Sequence, residues 1–569
     1  VTQAVANALD ELPPTRRKLD RDDWLMRGGI CLMIGWLGLT LILPLWWLLS
    51  KSFQNQGGDF VGLDNYIQYF STPALFASVW NSLFIALLST AIVLPLAFTY
   101  AYALQRSCMR WKGLFQGLAL IPILAPSLLP AISLIYLFGN QGFLKEWMFG
   151  VEIYGPVGIV ISQVFYCFPH ALMILLAALS MADSRLYEAA DALGASKTRI
   201  FFTVTLPGAK YGVISAGFVI FTLVMTDFGI AKVIGGRFNV LATDIFKQVI
   251  GQQNFEMGAV VGFVLLIPAV VAFMADRIIQ GRQVALLSAR AVPLIPKPDS
   301  GRDNGLFVFC SVVGGLILVL LAMAVWASFV SRWPYNLSLT LNNYAFGDFD
   351  TNGWSAYYNS IEMAAWTAVI GTLIIFLGAY LLEKTRGFKA GRNIAQFMAM
   401  LPMAVPGLVL GLAYIFFFNA RDNPFGFIYA TMAILVVNSV THFYTVSHLT
   451  ATTALKQLDH EFEAVSASLK VSLLRTMTRV SMPVSLPSVL DISIYLFVNA
   501  MTTVSAVIFL YSTDTKLAAV TIINMEESGF TAAAAAMAVA IVATSATVKI
   551  AHLLITRRLE RRTQAWRQR

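Results

Sequence analysis

The residues able to do chemistry in this chain fall in two settings. One is polar. The stretch "EAADALGASKTRIFFTVTLP", Glu188 to Pro207, separates two long apolar runs. Asp183 or Ser184 can cap a short helix through Leu193, Gly194 can end it in the left-handed conformation, and Ser196 can cap the helix that follows. The chemistry open to Glu188, Ala189, Ala190 and Gly194 is non-covalent: a carboxylate beside small side chains that let another surface approach the backbone. On local features alone, a solvated connector looks the same. The other setting is apolar. Asp227 stands about 19 residues into an apolar run. An ionisable residue there is a functional candidate by default, with hydration at the outer interface as the alternative. His170 follows Pro169 midway along another run, where it either meets a neighbouring helix or lines a pathway. Asn499 has the same two readings.

Other chemistries find no support. There is no GxxxxGK[ST] loop, so the chain is not expected to hydrolyse ATP itself. There is no HExxH, nucleophile elbow or paired Cys/His set, so neither an enzyme, a bound cofactor nor a metal site is expected. His442 and His448 are six residues apart, which is not a helical ligand pair. Cys31, Cys108, Cys167 and Cys310 are scattered and read as small hydrophobes.

The elements that hold these residues follow from composition. Of 569 residues 57% are hydrophobic and 12% charged, about half the charged fraction of a soluble protein, and mean hydropathy is +0.70. Apolar runs of about 20 residues recur along the chain, and a lipid-exposed backbone must satisfy itself as helix. The reading is an all-α polytopic membrane protein with about twelve spans. They lie near 28–50, 80–104, 115–138, 155–179, 208–231, 256–277, 306–329, 357–382, 394–418, 425–449, 485–510 and 531–555. The first is expected to be a retained span, not a signal peptide. With the N-terminus inside, 32 of the 40 Lys and Arg fall in inner segments. That bias puts both termini in the cytoplasm, and it accounts for the net charge of +9 without nucleic acid. Pro122, Pro126, Pro402 and Pro406 are expected to bend the third and ninth spans. Gly258-x3-Gly262 and Gly407-x3-Gly411 are expected to serve helix packing.

The chain reads as two copies of one unit. "LDNY" at Leu63 matches "LNNY" at Leu341, "WNSLF" at Trp80 matches "YNSIE" at Tyr358, and "YALQR" at Tyr102 matches "YLLEK" at Tyr380. Pro207 matches Pro483. Both units begin inside, so they are parallel six-span repeats. The expected divisions are a cytoplasmic segment 1–27, a first half 28–281, a linker 282–305, a second half 306–556 and a basic tail 557–569. The second half repeats the polar insert as "EFEAVSASLKVSLLRTMTRVSMP", Glu461 to Pro483. Here Ala464 stands at the place of Glu188, Lys470 at that of Gly194, and Glu463 one residue early. A left-handed Lys costs about 1 kcal/mol more than Gly, so a differently built turn is expected. Thr503 stands opposite Asp227, so the halves offer different chemistry to a shared pathway.

The spacing Glu188-Ala189-Ala190, three residues, Gly194, nine residues, Val204-x-Leu206-Pro207 resembles the EAA loop of permease subunits of bacterial binding-protein-dependent ABC importers. The resemblance implies the type I importer permease fold. It makes Glu188, Ala189, Ala190, Gly194, Glu463, Ala464 and Lys470 the contacts for cytoplasmic ABC ATPase subunits, in two copies, and implies a periplasmic solute-binding protein as the other partner. Two permease halves in one chain resemble the ferric-iron, thiamine and 2-aminoethylphosphonate branch. "LAPSLLPAISLIYLFGNQG", "TDFGIAKVIGG" and "LATDIFKQVIGQQNFEMGAV" are most like 2-aminoethylphosphonate-type permeases. This implies an inner-membrane importer of a small organophosphonate, with Asp227, Thr503, Asn499 and His170 as candidate pathway residues. A ferric-iron or thiamine permease is the alternative, and an ion-coupled secondary transporter a more distant one.

Overall fold

The computed structural model describes residues 20–284, 292, 294–385, 387–459 and 461–563. Residues 1–19 of the N-terminal segment, 285–291 and 293 of the linker, and 564–569 of the tail lie outside the described residues. Among the described residues, eight helices are long and apolar enough to cross a membrane unbroken: Arg21–Ser52, Pro73–Arg106, Pro156–Ser180, Lys197–Thr226, Phe255–Ile279, Ser300–Phe329, Gly353–Glu383 and Thr531–Leu559. Leu32, Trp80, Val369 and Leu373 are exposed on these helices, as lipid-facing positions must be.

Three of the twelve expected spans, the third, ninth and tenth, are broken, and the eleventh is bent at its first residue. Lys112–Leu124 and Leu128–Phe138 meet at 101°, and Lys389–Ala404 and Gly407–Phe418 at 112°. The prolines do more than bend these spans. Pro122 and Pro402 open a 3-10 turn, and Pro126 and Pro406 lie at the corner, where neither can donate a backbone hydrogen bond. At about 1.5 Å per residue neither arm alone crosses a hydrocarbon core of roughly 30 Å. Leu473–Val484 and Leu486–Thr502 meet at 78° around Ser485, flanked by Pro483 and Pro487. The expected tenth span divides at Phe443 into Met432–His442 and Tyr444–Lys456.

The repeated words in the sequence are repeated hydrogen bonds. Asn65 of "LDNY" donates to the carbonyls of Ser52 and Gln54 at 3.0 and 2.8 Å. Asn343 of "LNNY" donates to those of Ser328 and Val330 at 3.0 and 2.7 Å. The neighbouring Tyr66 and Tyr344 hydroxyls bond Ser52 and Ser328 at 2.7 and 2.9 Å. The serines of "WNSLF" and "YNSIE", Ser82 and Ser360, accept from the N–H of Leu241 and Ala518, both at 2.8 Å. In each half the motif clamps the end of the first span and a short helix after the fifth.

The halves exchange their first spans. Arg21–Ser52 packs on Gly353–Glu383, Lys389–Met400 and Gly407–Phe418 of the second half. Ser300–Phe329 packs on Pro73–Arg106, Lys112–Leu120 and Leu128–Phe138 of the first. Ser133 donates to the carbonyl of Leu320 across this contact at 2.8 Å. The glycine pairs are packing positions: a Cβ on Gly258 would meet Val249, and one on Gly411 would meet the carbonyl of Ala506.

Candidate functional site

The two polar inserts share one backbone. In the first, Asp183 accepts from the N–H of Arg185 and caps Ser184–Ala192. Gly194 turns at φ 71, and Ser196 accepts from the N–H of Arg199 to cap Lys197–Ile200. Leu193, Ala195 and Ile200 donate to the carbonyls of Ala189, Ala190 and Ser196. In the second, Leu469, Val471 and Thr476 donate to those of Val465, Ser466 and Ser472, each position 276 residues on. Asp459 accepts from the N–H of Glu461 as Asp183 does from Arg185. Lys470 stands at φ 53. The expectation of a different turn is thereby corrected. The flanking hydrogen bonds fix the left-handed residue, and the lysine side chain is tolerated because it is exposed.

The two segments differ in how they rest on the helix bundle. In the first half the Arg106 guanidinium lies 5.6 Å from the Tyr187 ring and donates to the carbonyl of Leu179. In the second the corresponding cation is Lys384, whose side chain is fully buried and lies 3.2 Å from the Glu463 carboxylate. Glu463 occupies the place of Tyr187 and turns inward, whereas Glu188 is exposed. Ala189 and Ala464 are exposed too, and Ala190 is half-buried. Each segment also holds large apolar side chains in the open: Leu186 and Leu193 in the first, Phe462, Val465 and Leu469 in the second. Leu193 is 87% exposed and its counterpart Leu469 70%.

Each segment is tied to the first span of the opposite half. Asp22, at the start of Arg21–Ser52, accepts from the N–H of Leu473 at 2.7 Å. Asp299, which caps Ser300–Phe329, pairs with Lys197, the residue matching Leu473. The Lys197 ammonium, and then the N–H of Arg302, hold the Asp299 carboxyl below its usual range. Linker residue Val292 exchanges bonds with Asp183 and Ser184. Sequence reading passed over Asp22, Asp299 and Lys384. The basic residue closing both "YALQR" and "YLLEK" was the available signal for the last.

Asp227, Thr503, Asn499 and His170 come together. They line one cavity of about 100 Å³, with Ser127, Tyr166, His442, Thr502 and Ser505 among its other walls. Asp227 was expected inside the fifth span and Thr503 inside the eleventh. Both instead lie one residue beyond a helix that stops, at Thr226 and Thr502, with matching extended backbone (φ −71, ψ 130 and φ −71, ψ 138). Asp227 is therefore not a helix residue at an outer interface but part of an interdomain wall, where its carboxylate accepts from Gln163 at 3.1 Å and from the N–H of Ile230 at 3.0 Å. Tyr166 and His442, Asp227 and Thr503, and Gly229 and Ser505 are all 276 residues apart. The cavity thus lies where the pseudo-twofold relation brings the halves together. That common offset could have joined His442 to the group from sequence.

Two parallel helical repeats with exchanged first spans, a cavity between them and a pair of matching polar segments define a duplicated membrane permease. A family model described as the binding-protein-dependent transport system inner membrane component matches residues 94–284 and again 371–563. The chain belongs to that family, as the multi-pass inner-membrane permease of a binding-protein-dependent ABC importer. It is 27% identical over 544 residues to the ferric transport system permease protein FbpB of Actinobacillus pleuropneumoniae, covering 92% of this chain and 77% of that one. It is 27% identical over 252 residues to the spermidine/putrescine transport system permease protein PotB of Escherichia coli, covering 42% of this chain and 91% of that one. A solved bacterial alginate ABC transporter, in complex with a periplasmic protein bound to alginate pentasaccharide, is 15% identical with a TM-score of 0.40, covering 46% of this chain and 96% of that one.

Proposed function

We propose that this chain forms the translocation pathway of an ATP-driven importer and that the segments 184–207 and 461–483 are its two handles for ATPase subunits, one on each. The observation that carries this is the exposed leucine presented by the same turn in both halves, Leu193 and Leu469, with Leu186 exposed beside the first and Phe462 and Val465 beside the second. A single exposed leucine is ordinary, but large apolar side chains grouped on both matching segments mark an interaction surface. Glu188, Ala189, Ala190 and Gly194 form the first contact, and Ala464 and Lys470 the second. Glu463 supports the second contact from behind through Lys384. Both termini and both handles face the cytoplasm, and a solute-binding protein delivers cargo to the opposite face. ATP binding draws the ATPase subunits and the handles together, and the halves rock to open the cavity outward. Hydrolysis resets it. The chain itself holds no nucleotide.

The cargo in this reading is a small organophosphonate such as 2-aminoethylphosphonate, supported by the stretches from Leu124, Thr226 and Leu241. The second reading is a ferric-iron permease, favoured by the 92% coverage of this chain by a ferric relative. Co-purification tests the machine. Leu193→Asp and Leu469→Asp should each weaken capture of the ATPase, and the pair should abolish it. Full capture by the double variant would remove the docking proposal. The ligand held by the partner binding protein decides between the cargoes.

A further inference from the structure

We infer that the cavity between the halves is a recognition site for a primary ammonium group, with Asp227 as its counter-charge. The inference rests on the reading that cargo passes between the halves. Among the residues lining the cavity Asp227 is the one carboxylate, and no Lys or Arg faces it. Gln163, the N–H of Ile230 and Ser127 hydrogen-bond the Asp227 carboxylate, but none of them carries a charge, so the space favours a cation over a neutral or anionic group.

The hydrogen-bonding character of the walls points the same way. Asn499 uses one of its two amide N–H groups on the carbonyl of Tyr495 at 2.8 Å, and its Oδ1 can accept. Thr502 uses its hydroxyl proton on the carbonyl of Val498 at 2.9 Å, which leaves its lone pairs. His170 Nδ1 lies 3.2 Å from the carbonyl of Tyr166. A carbonyl can only accept, so Nδ1 carries the proton, and Nε2 of the neutral ring is an acceptor. Asp227, Asn499, Thr502 and His170 thus each have an acceptor for the space, and the Ser127, Tyr166, Thr503 and Ser505 hydroxyls beside them can accept as well as donate. An ammonium group brings three donors and no acceptor, and is the complement of such a site. The volume of about 100 Å³ accommodates an aminoethyl group. Because Thr503 stands where Asp227 stands in the other half, the charge lies on one side and a cargo with a single amine is held in one orientation.

The test uses the purified full chain without binding protein, both alone and after incubation with its ATPase subunits. Calorimetric titration compares 2-aminoethylphosphonate, putrescine and ethylphosphonate, the last lacking only the amine of the first. Both amines are expected to bind at least tenfold more tightly than ethylphosphonate. Asp227→Asn should reduce the amines to the ethylphosphonate level, while Asp227→Glu keeps part of the preference. Asn499→Leu, which leaves the carboxylate in place, should weaken amine binding severalfold and covers the case in which Asp227→Asn does not fold. Equal binding of ethylphosphonate and its amino form, amine binding unchanged in Asp227→Asn, or sodium ions competing as well as either amine would each overturn the inference. If the chain binds amines but captures no ATPase, the importer reading fails and this one stands. If the ATPase is captured and stimulated but amines are not preferred, this one alone fails.

Discussion

The buried pair behind the second handle gives a quantitative prediction. Glu463→Gln leaves the Lys384 ammonium in place, with the carbonyl of Leu458 at 3.0 Å as its remaining partner. Breaking one side of a fully buried pair costs roughly 3–5 kcal/mol. Glu463 keeps 23% of its side chain exposed, so water partly replaces it, and the expected cost is about 1–3 kcal/mol. That cost is local, because the pair joins Glu461–Ser468 to the end of Gly353–Glu383. A long multi-span protein does not unfold in one step, so amide hydrogen exchange over the segment is the suitable measurement. At tenfold per 1.4 kcal/mol, exchange in 461–476 should speed up roughly five- to hundredfold, with segment 184–200 unchanged. Lys384→Met combined with Glu463→Gln should restore most of the protection, since no stranded charge remains. Glu463→Lys, which places a second cation beside Lys384, should be worse than Glu463→Gln. Exchange unaltered in Glu463→Gln would show that the pair does not hold the segment. A double variant as unprotected as the single would show that packing, not charge, does so. Glu188→Lys, at an exposed position, should leave exchange unchanged and lower ATPase capture.

Other residues carry independent tests. Lys470→Gly should stabilise the second turn by about 1 kcal/mol, seen as slower exchange at Leu469 and Val471, because the left-handed conformation at φ 53 is retained without a Cβ. Asp22→Ala removes the acceptor of the Leu473 N–H and should cost about 1 kcal/mol at that helix start, with fewer solute molecules moved per ATP in proteoliposomes. An unchanged transport ratio would mean that the tie to the opposite half carries no force. Outside the membrane-crossing helices, burial and then the charge of Glu527 push the Glu526 carboxyl up to about 7, against the opposing pull of Lys232. A raised carboxyl pKa stabilises the folded form at pH below about 4.5, and that contribution, up to about 3 kcal/mol, is lost as pH rises toward 7. Glu526→Gln should therefore flatten the loss of amide-exchange protection in Ala518–Glu527 between pH 5 and pH 8, once the intrinsic pH dependence of exchange is divided out.

The helical class, the duplication and the place of the polar inserts are legible in the order of residues alone. Each of these is written in local terms: runs of apolar residues, words repeated at a fixed spacing, and capping residues beside a glycine. The sequence also singled out Asp227, Asn499 and His170 one at a time, because a polar residue in an apolar run is conspicuous. Their assembly into one cavity was decided by the tertiary structure. It depends on two helices stopping at Thr226 and Thr502 and on broken spans turning at Pro126 and Pro406. A hydropathy run does not record where a helix ends when the residues beyond it are equally apolar. The inward turn of Glu463 and the ties through Asp22 and Asp299 were likewise beyond reach. A side chain's partner across hundreds of residues is set by which spans pack together, and here the first span of each half packs on the other. The left-handed Lys470 shows the same division: propensity disfavours it locally, and the hydrogen bonds of the assembled turn outweigh that preference.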